Sequence, residues 1–329
     1  MKAMLCKAWG PPESLVLEEV PSKPLGPGQV RIAVHAAGVN FPDVLMIEGK
    51  YQFKPPFPFA PGAEVAGEIT ETAADVTTFA PGARVIAMVG SGGYADEAVA
   101  NASSCMTIPP SMDFATAAGF SMTYGTSYFA LVQRAAIQPG ETLLVHGASG
   151  GVGTAAIDLG RNLGAKIIAT GGSDEKLARL TRHYGVEHVI NYRTEPNWKD
   201  NVKALTGGKG ADVVYDAVGG DVLEASLRCI NWNGRLLVIG FAAGEIPKVP
   251  ANLVLLKNCS LVGVFWGAFT GREPETNRKN FETMFAWYEA GKLAPIVSQR
   301  FPLEQAKDAM HAIIAREVVG KCVITTGRG

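Results

Sequence analysis

The chain has 329 residues, about twice the usual single-domain length, so two domains are expected. Hydrophobic residues make up 47% and charged residues 19%, enough for a large core and incompatible with an intrinsically disordered chain. The 30 Lys and Arg against 31 Asp and Glu leave a net charge of −1, which gives no general basic footprint for nucleic acid or an anionic membrane.

Residues 1–110 read as short β segments, at 29–36, 64–71, 84–89 and around 94–100, punctuated by the turn signals PLGPG (24–28) and APG (60–62 and 80–82). The stretch KPPFPFAPG (54–62) is excluded from a sheet interior, because proline removes ladder donors. An irregular β-rich unit fits this half of the chain.

From about residue 140 the pattern changes. Short apolar runs at 143–146, 166–170, 188–191, 212–217, 235–240 and 260–265 alternate with predicted helices at 152–163, 174–184, 197–206, 220–230 and 250–257. In the first of these helices Val152, Ala156, Leu159 and Leu163 share one face. Such alternation implies an α/β fold with a doubly wound parallel sheet of six strands, covered on both sides. The tail adds helices at 278–290 and 303–316 and a closing strand, 321–325, which is expected to return to the first unit.

No apolar run approaches the roughly 18–20 residues that span a bilayer, and the N-terminus lacks an apolar stretch of signal-peptide length. Cys6, Cys105, Cys229, Cys259 and Cys322 are scattered with no CxxC pair, against a disulfide framework or a structural zinc site. The chain therefore reads as a soluble protein of the reducing cytoplasm.

The strand 143–146 runs into GASGGVGTAA (147–156) and then into a helix. Aligned to the dinucleotide fingerprint, Ala148 stands at the first glycine, Gly150 lets the backbone approach a pyrophosphate, and Gly153 lets helix and strand pack closely. The helix N-terminus offers free N–H groups to the anion. At the end of the next strand Thr170 and Gly171 stand where an NAD site wants a carboxylate. Ser173 and Lys176 follow, and Tyr192-Arg193 lies at the end of the third strand; hydroxyl, ammonium and phenol donors from Ser173, Lys176 and Tyr192 suit a 2′-phosphate, so the expected cofactor is NADPH. The plainer role for Ser173 is a helix N-cap, with Asp174 and Glu175 as first-turn acids.

HGASGGVG (146–153), ADVVYDAVGG (211–220) and GRLLVIGFAAG (234–244), behind a β-rich N-terminus, resemble the medium-chain dehydrogenase/reductase superfamily. AAGVNFPDVLMIEGKY (36–51) and HVINYRTE (188–195) resemble its quinone oxidoreductase, or zeta-crystallin-like, branch. The resemblance implies a GroES-like catalytic domain over 1–122 and 268–329 and a Rossmann domain over 123–267. The metal-binding Cys of zinc alcohol dehydrogenases is here Asn40, their Gly-His-Glu is Gly62-Ala63-Glu64, and their third ligand falls near Ala118. No zinc is therefore expected. Without that Lewis acid the easier chemistry is hydride delivery to a quinone or an α,β-unsaturated carbonyl, whose conjugation spreads the incoming charge.

The resemblance places Asn40, Asp43 and Tyr51 as catalytic candidates. It implies cofactor contacts from Asn40, Thr126, Gly150, Gly151, Val152, Ser173, Lys176, Tyr192, Ala217, Val218, Ile239, Phe241, Phe265, Trp266, Gly267 and Lys321. Phe265-Trp266-Gly267 reads as a loop over nicotinamide and substrate. The five histidines form no ligand spacing and read as structural. The apolar strand 260–265 would be a sheet edge in need of cover, and the family pairs it across a two-fold axis, implying a homodimer. Two rival readings remain open. One is an enoyl-thioester reductase, with Arg272, Arg278 and Lys279 as cations for a CoA phosphate; the other is a non-catalytic, crystallin-like or RNA-binding NADPH protein.

Overall fold

The computed structural model describes residues 1–328. The described chain divides into two compact units, residues 1–122 with 296–328, and residues 123–295.

The first unit opens with β1 (Lys2–Leu5) paired antiparallel to β2 (Val16–Glu19). Its main sheet takes β3 (Gln29–Gly38), β4 (Glu64–Thr72), β5 (Arg84–Met88), β6 (Glu97–Asn101) and β7 (Cys105–Thr107). A short helix, α1 (Phe41–Ile47), follows β3, and α2 (Phe114–Ala118) follows β7. The proline-rich 54–62 stretch lies outside regular strands; Phe59 bridges to Cys6, and the carbonyls of Ala60, Pro61 and Gly62 accept from the N–H groups of Gly92, Tyr94 and Gly93.

The second unit begins within α3 (Ser121–Tyr128). Then follow β8 (Thr142–His146), α4 (Gly151–Asn162), β9 (Lys166–Gly171), α5 (Asp174–Tyr184), β10 (His188–Asn191), α6 (Trp198–Leu205), β11 (Ala211–Asp216) and α7 (Gly220–Ser226). It continues with β12 (Ile230–Val238), α8 (Ala251–Lys257), β13 (Ser260–Gly263), α9 (Trp266–Arg272) and α10 (Pro274–Glu289). The six strands form one parallel sheet in the order β10-β9-β8-β11-β12-β13. Strand order reverses between β8 and β11, the switch point where ligands bind in such sheets. The sheet and helix order match the sequence expectation of a doubly wound α/β domain beside a β-rich, GroES-like one.

The chain returns to the first unit with β14 (Val297–Pro302), α11 (Ala306–Ile314) and β15 (Lys321–Thr325). β15 lies antiparallel on β3, with Val323 opposite Gly38, as the closing strand was expected to do. β14, paired parallel to β15, is an addition: its half-buried residues show no alternation to read.

Two expectations differ from the structure. Residues 268–295 pack in the second unit, not the first. Phe269 stacks on Phe129 at 4.2 Å, Gln133 donates to Asn280 at 2.8 Å, and Phe281 and Met284 are buried there. The helix expected over 220–230 stops at Ser226, because β12 begins early to pair Ile230 with Ala211 before a bulge restores register at Arg235. Among the described residues no helix is long and apolar enough to cross a membrane.

Candidate active site

In the second unit the dinucleotide loop is built by backbone geometry. Gly147 turns with φ +63°, and a Cβ on Gly153 would stand 2.4 Å from the Gly147 carbonyl oxygen, so only glycine lets α4 come this close to β8. Gly150 caps α4 with extended backbone, and the N–H groups of Gly151 and Val152 open the helix. Ser127 Oγ donates to Val152 O at 3.0 Å and pairs with Tyr215 Oη at 2.8 Å, pinning α3, and Thr126 beside it, on the first turn of α4.

The neighbouring crest turn is fixed by Asp216. Its Oδ1 accepts from the N–H groups of Val218 at 2.8 Å and Gly219 at 3.0 Å. Val218 then lies over the Gly147 turn, and Phe241 lies against Gly219. Ala217, Val218 and Ile239 are half-buried at the strand ends, and Phe241 is exposed. All four stand on the C-terminal edge of the sheet.

At the end of β9 no carboxylate is presented. Asp174 is held by Asn191 Nδ2 at 2.8 Å, and Ser173 caps α5, accepting from the Lys176 N–H at 3.4 Å. Tyr192 donates its backbone N–H to Gly171 O at 3.1 Å. The residue that the candidate set lacked is Arg193: its Nε lies 2.9 Å from where a Cβ on Gly172 would stand. Ser173, Lys176, Tyr192 and Arg193 thus gather at one strand end, cationic and open to solvent at Arg193.

Trp266 and Gly267 do not form the expected loop; both lie in α9. The Trp266 ring is buried against Gly125, and its indole N–H donates to Asn277 Oδ1 at 3.1 Å, so its side chain packs α9 onto α10. Phe265, just before it, is 66% exposed. His146 is likewise structural, buried between Thr170 Oγ1 at 2.7 Å and Ser226 Oγ at 2.8 Å.

In the first unit the turn from β3 into α1 carries a buried polar network. Lys321 Nζ donates to Val39 O at 2.9 Å, Asn40 Oδ1 at 2.6 Å and Glu64 Oε1 at 2.9 Å. All three ammonium donors are used, so Lys321 has none left for a nucleotide, contrary to the sequence expectation. Asn40 Nδ2 donates to Glu64 Oε1 at 2.8 Å and makes only a long 3.5 Å contact to Gly38 O. One amide hydrogen of Asn40 is therefore weakly held.

Asp43 is fully buried, and the contacts of its carboxylate are those of a helix start rather than of an open cleft. Its Oδ2 accepts from the Asn40 N–H at 2.8 Å and Tyr94 Oη at 3.1 Å, which fastens the start of α1. Tyr51 is half-buried after α1 and packs against the core. Burial, then the Asp43 charge, raises its phenol, so it holds its proton and can donate it in a hydrogen bond.

Burial pushes Asp43 up to about 6, against the opposing pull of the Asn40 N–H, Lys321 and Tyr94. The folded chain thus binds this proton more tightly than the unfolded one. The Asp43 contribution to stability is full below about pH 4 and is lost as pH rises through about 6. At about 1.4 kcal/mol per pH unit, this amounts to roughly 2–3 kcal/mol. Urea unfolding from pH 4 to 7 should show a flatter stability profile for Asp43→Asn than for the parent; parallel profiles would contradict the assignment.

The chain matches two described families: "Alcohol dehydrogenase GroES-like domain" over residues 26–110 and "Zinc-binding dehydrogenase" over residues 151–289. It is 43% identical over 329 residues to a quinone oxidoreductase-like protein 2 homolog of Nematostella vectensis, covering 99% of this chain and 89% of the relative. The Escherichia coli quinone oxidoreductase solved in complex with NADPH superposes with a TM-score of 0.91 at 27% identity, covering 99% of this chain and 100% of that one. The CurK enoyl reductase superposes with a TM-score of 0.88 at 27% identity, covering 98% and 99%.

The donors in this structure do not fit the zinc ion that the second description implies. By the resemblance Asn40, Ala63 and Ala118 stand at the ligand positions, and of the two carboxylates near Asn40, Glu64 is already paired with the Lys321 ammonium and Asp43 accepts from the Asn40 N–H and Tyr94 Oη. Among the described residues no three His, Cys, Asp or Glu side chains converge.

Proposed function

The chain belongs to the zinc-independent quinone oxidoreductase branch of the medium-chain dehydrogenase/reductase superfamily, and from that premise we propose that it is an NADPH-dependent reductase delivering hydride to a quinone or conjugated enone without a metal. The observation that carries this reading is the β9 strand end, where Gly171 and Gly172 leave out a carboxylate and Arg193, with Lys176 close by in sequence, brings positive charge. The Gly147–Gly153 turn and the N-terminus of α4 hold the pyrophosphate. Bound NADPH supplies the hydride. Tyr51 Oη and the weakly held amide hydrogen of Asn40 donate to the oxygen on which negative charge develops. A conjugated acceptor delocalises that charge, so two such donors suffice where an alcohol substrate would call for a Lewis acid.

The likeness to an enoyl reductase favours a second reading, reduction of an enoyl thioester. Of its candidate phosphate cations, Arg278 is already engaged by Glu275 at 2.8 Å and by Glu282. Steady-state NADPH oxidation with 1,4-benzoquinone, 2-cyclohexenone and crotonyl-CoA separates the cases. A kcat/KM for the quinone at least about tenfold above the enone supports quinone reduction. The reverse ratio assigns an ene-reductase, and a strong preference for crotonyl-CoA assigns the thioester enzyme.

The proposal extends to a homodimer. β13 is an unpaired sheet edge, and Leu255, Leu256 and Phe265 around it are 78%, 68% and 66% exposed. So apolar an edge needs cover, and a second copy provides it. Sedimentation should give the mass of two chains for the parent and of one for Leu255→Glu combined with Leu261→Glu; a monomeric parent would overturn this.

A further inference from the structure

We propose that the Lys321 ammonium is a built-in cation that takes the place of a metal ion and acts as a positioning residue, setting the amide of Asn40 for the reaction. This rests on the role given to Asn40 above.

Three oxygens from three different groups, Val39 O, Asn40 Oδ1 and Glu64 Oε1, converge on Lys321 Nζ within 2.6–2.9 Å. The ion pair is enclosed: its side chains are 6% and 1% exposed. Glu64 is satisfied in full, because Oε1 also accepts from Asn40 Nδ2 and Oε2 accepts from the Met122 N–H at 2.8 Å. The surrounding backbone is shaped to admit the pair. A Cβ on Gly38 would stand 2.2 Å from Glu64 Oε1, and one on Gly119 would stand 3.2 Å from the Lys321 Cβ and Cγ.

Fastening β15 to β3 does not call for this arrangement. Taking two charges out of water costs several kcal/mol per ion, and apolar side chains of similar volume commonly serve stability as well or better. What an apolar residue cannot do is donate to Asn40 Oδ1. With Oδ1 drawn to Lys321 and Nδ2 drawn to Glu64, the amide cannot turn over, and its second hydrogen keeps one direction. The cation also occupies the oxygen cluster that would otherwise attract a hard metal ion.

The test uses Lys321→Met, which keeps the stem and loses the charge, and Lys321→Ala, which leaves room for a small amine. With the best acceptor, kcat should fall roughly 10- to 100-fold in both, as for a misdirected donor, while KM for NADPH stays within about twofold. Ethylammonium should restore the Ala variant saturably and leave the Met variant and the parent unchanged. A crystal structure of Lys321→Met, which does not depend on turnover, should show the Asn40 amide rotated or in two orientations. The proposal is overturned if Lys321→Met keeps the parental kcat and Asn40 orientation, or if KM for NADPH rises instead of kcat falling. Asn40→Ala separates the two claims. If it leaves kcat unchanged, the role given to Asn40 fails. If it slows the reaction while Lys321→Met does not, the cation proposal alone fails.

Discussion

Gly153→Ala is expected to weaken NADPH binding by about 100-fold and to lower the melting temperature by roughly 5–10 °C. The added methyl carbon would stand 2.4 Å from Gly147 O, 2.8 Å from Ala148 Cα and 2.9 Å from Ala148 C. These are backbone atoms of the turn itself, so no side-chain rotation relieves the overlap. α4 must move away from β8, which costs a few kcal/mol of packing and carries the helix N-terminus off the pyrophosphate position. Fluorescence titration with NADPH and a thermal melt check both effects together. Binding within twofold of the parent would show that the turn does not hold the nucleotide.

Arg193→Ala is expected to reduce kcat/KM for NADPH by about 10- to 100-fold and to leave that for NADH nearly unchanged. Hydrogen bonds to a charged group contribute about 1.5–3 kcal/mol, and of the two nucleotides only NADPH offers a 2′-phosphate to receive them. Arg193 is exposed, and its guanidinium overlies Gly172 at the end of β9. The loss should therefore shrink at high salt, where the parent also binds more weakly. Steady-state kinetics with both nucleotides decide it: an equal fall for NADPH and NADH would make Arg193 a structural residue of the 191–195 turn.

The parts of this molecule that were legible in the sequence are those set by local chemistry. Gly147, Gly150 and Gly153 announce a tight strand-to-helix turn, and Gly171 with Ser173 announces a strand end without a carboxylate followed by a capped helix. Six apolar runs alternating with helices were enough to imply the parallel sheet. What escaped depends on residues far apart. Lys321 reaches Glu64 across 257 positions, and no local pattern distinguishes a lysine that fills a buried oxygen cluster from one that binds a phosphate. Trp266 follows an apolar strand and looked like the start of a loop, but its partners, Gly125 and Asn277, come from other helices. Asp43 had the residue type of an acid catalyst, and only burial shows that it fastens a helix. Arg193 stood in plain view beside Tyr192, yet its position over Gly172 required the β9–β10 pairing to be known.

The most direct test of hydride transfer without a metal is the rate of NADPH oxidation by 1,4-benzoquinone after exhaustive treatment with a strong chelator, with metal content measured on the same sample. An unchanged kcat/KM at less than about one metal ion per hundred chains is the expected result. A loss of activity on chelation that added zinc restores would contradict it, and would require ligands other than those at Asn40, Ala63 and Ala118.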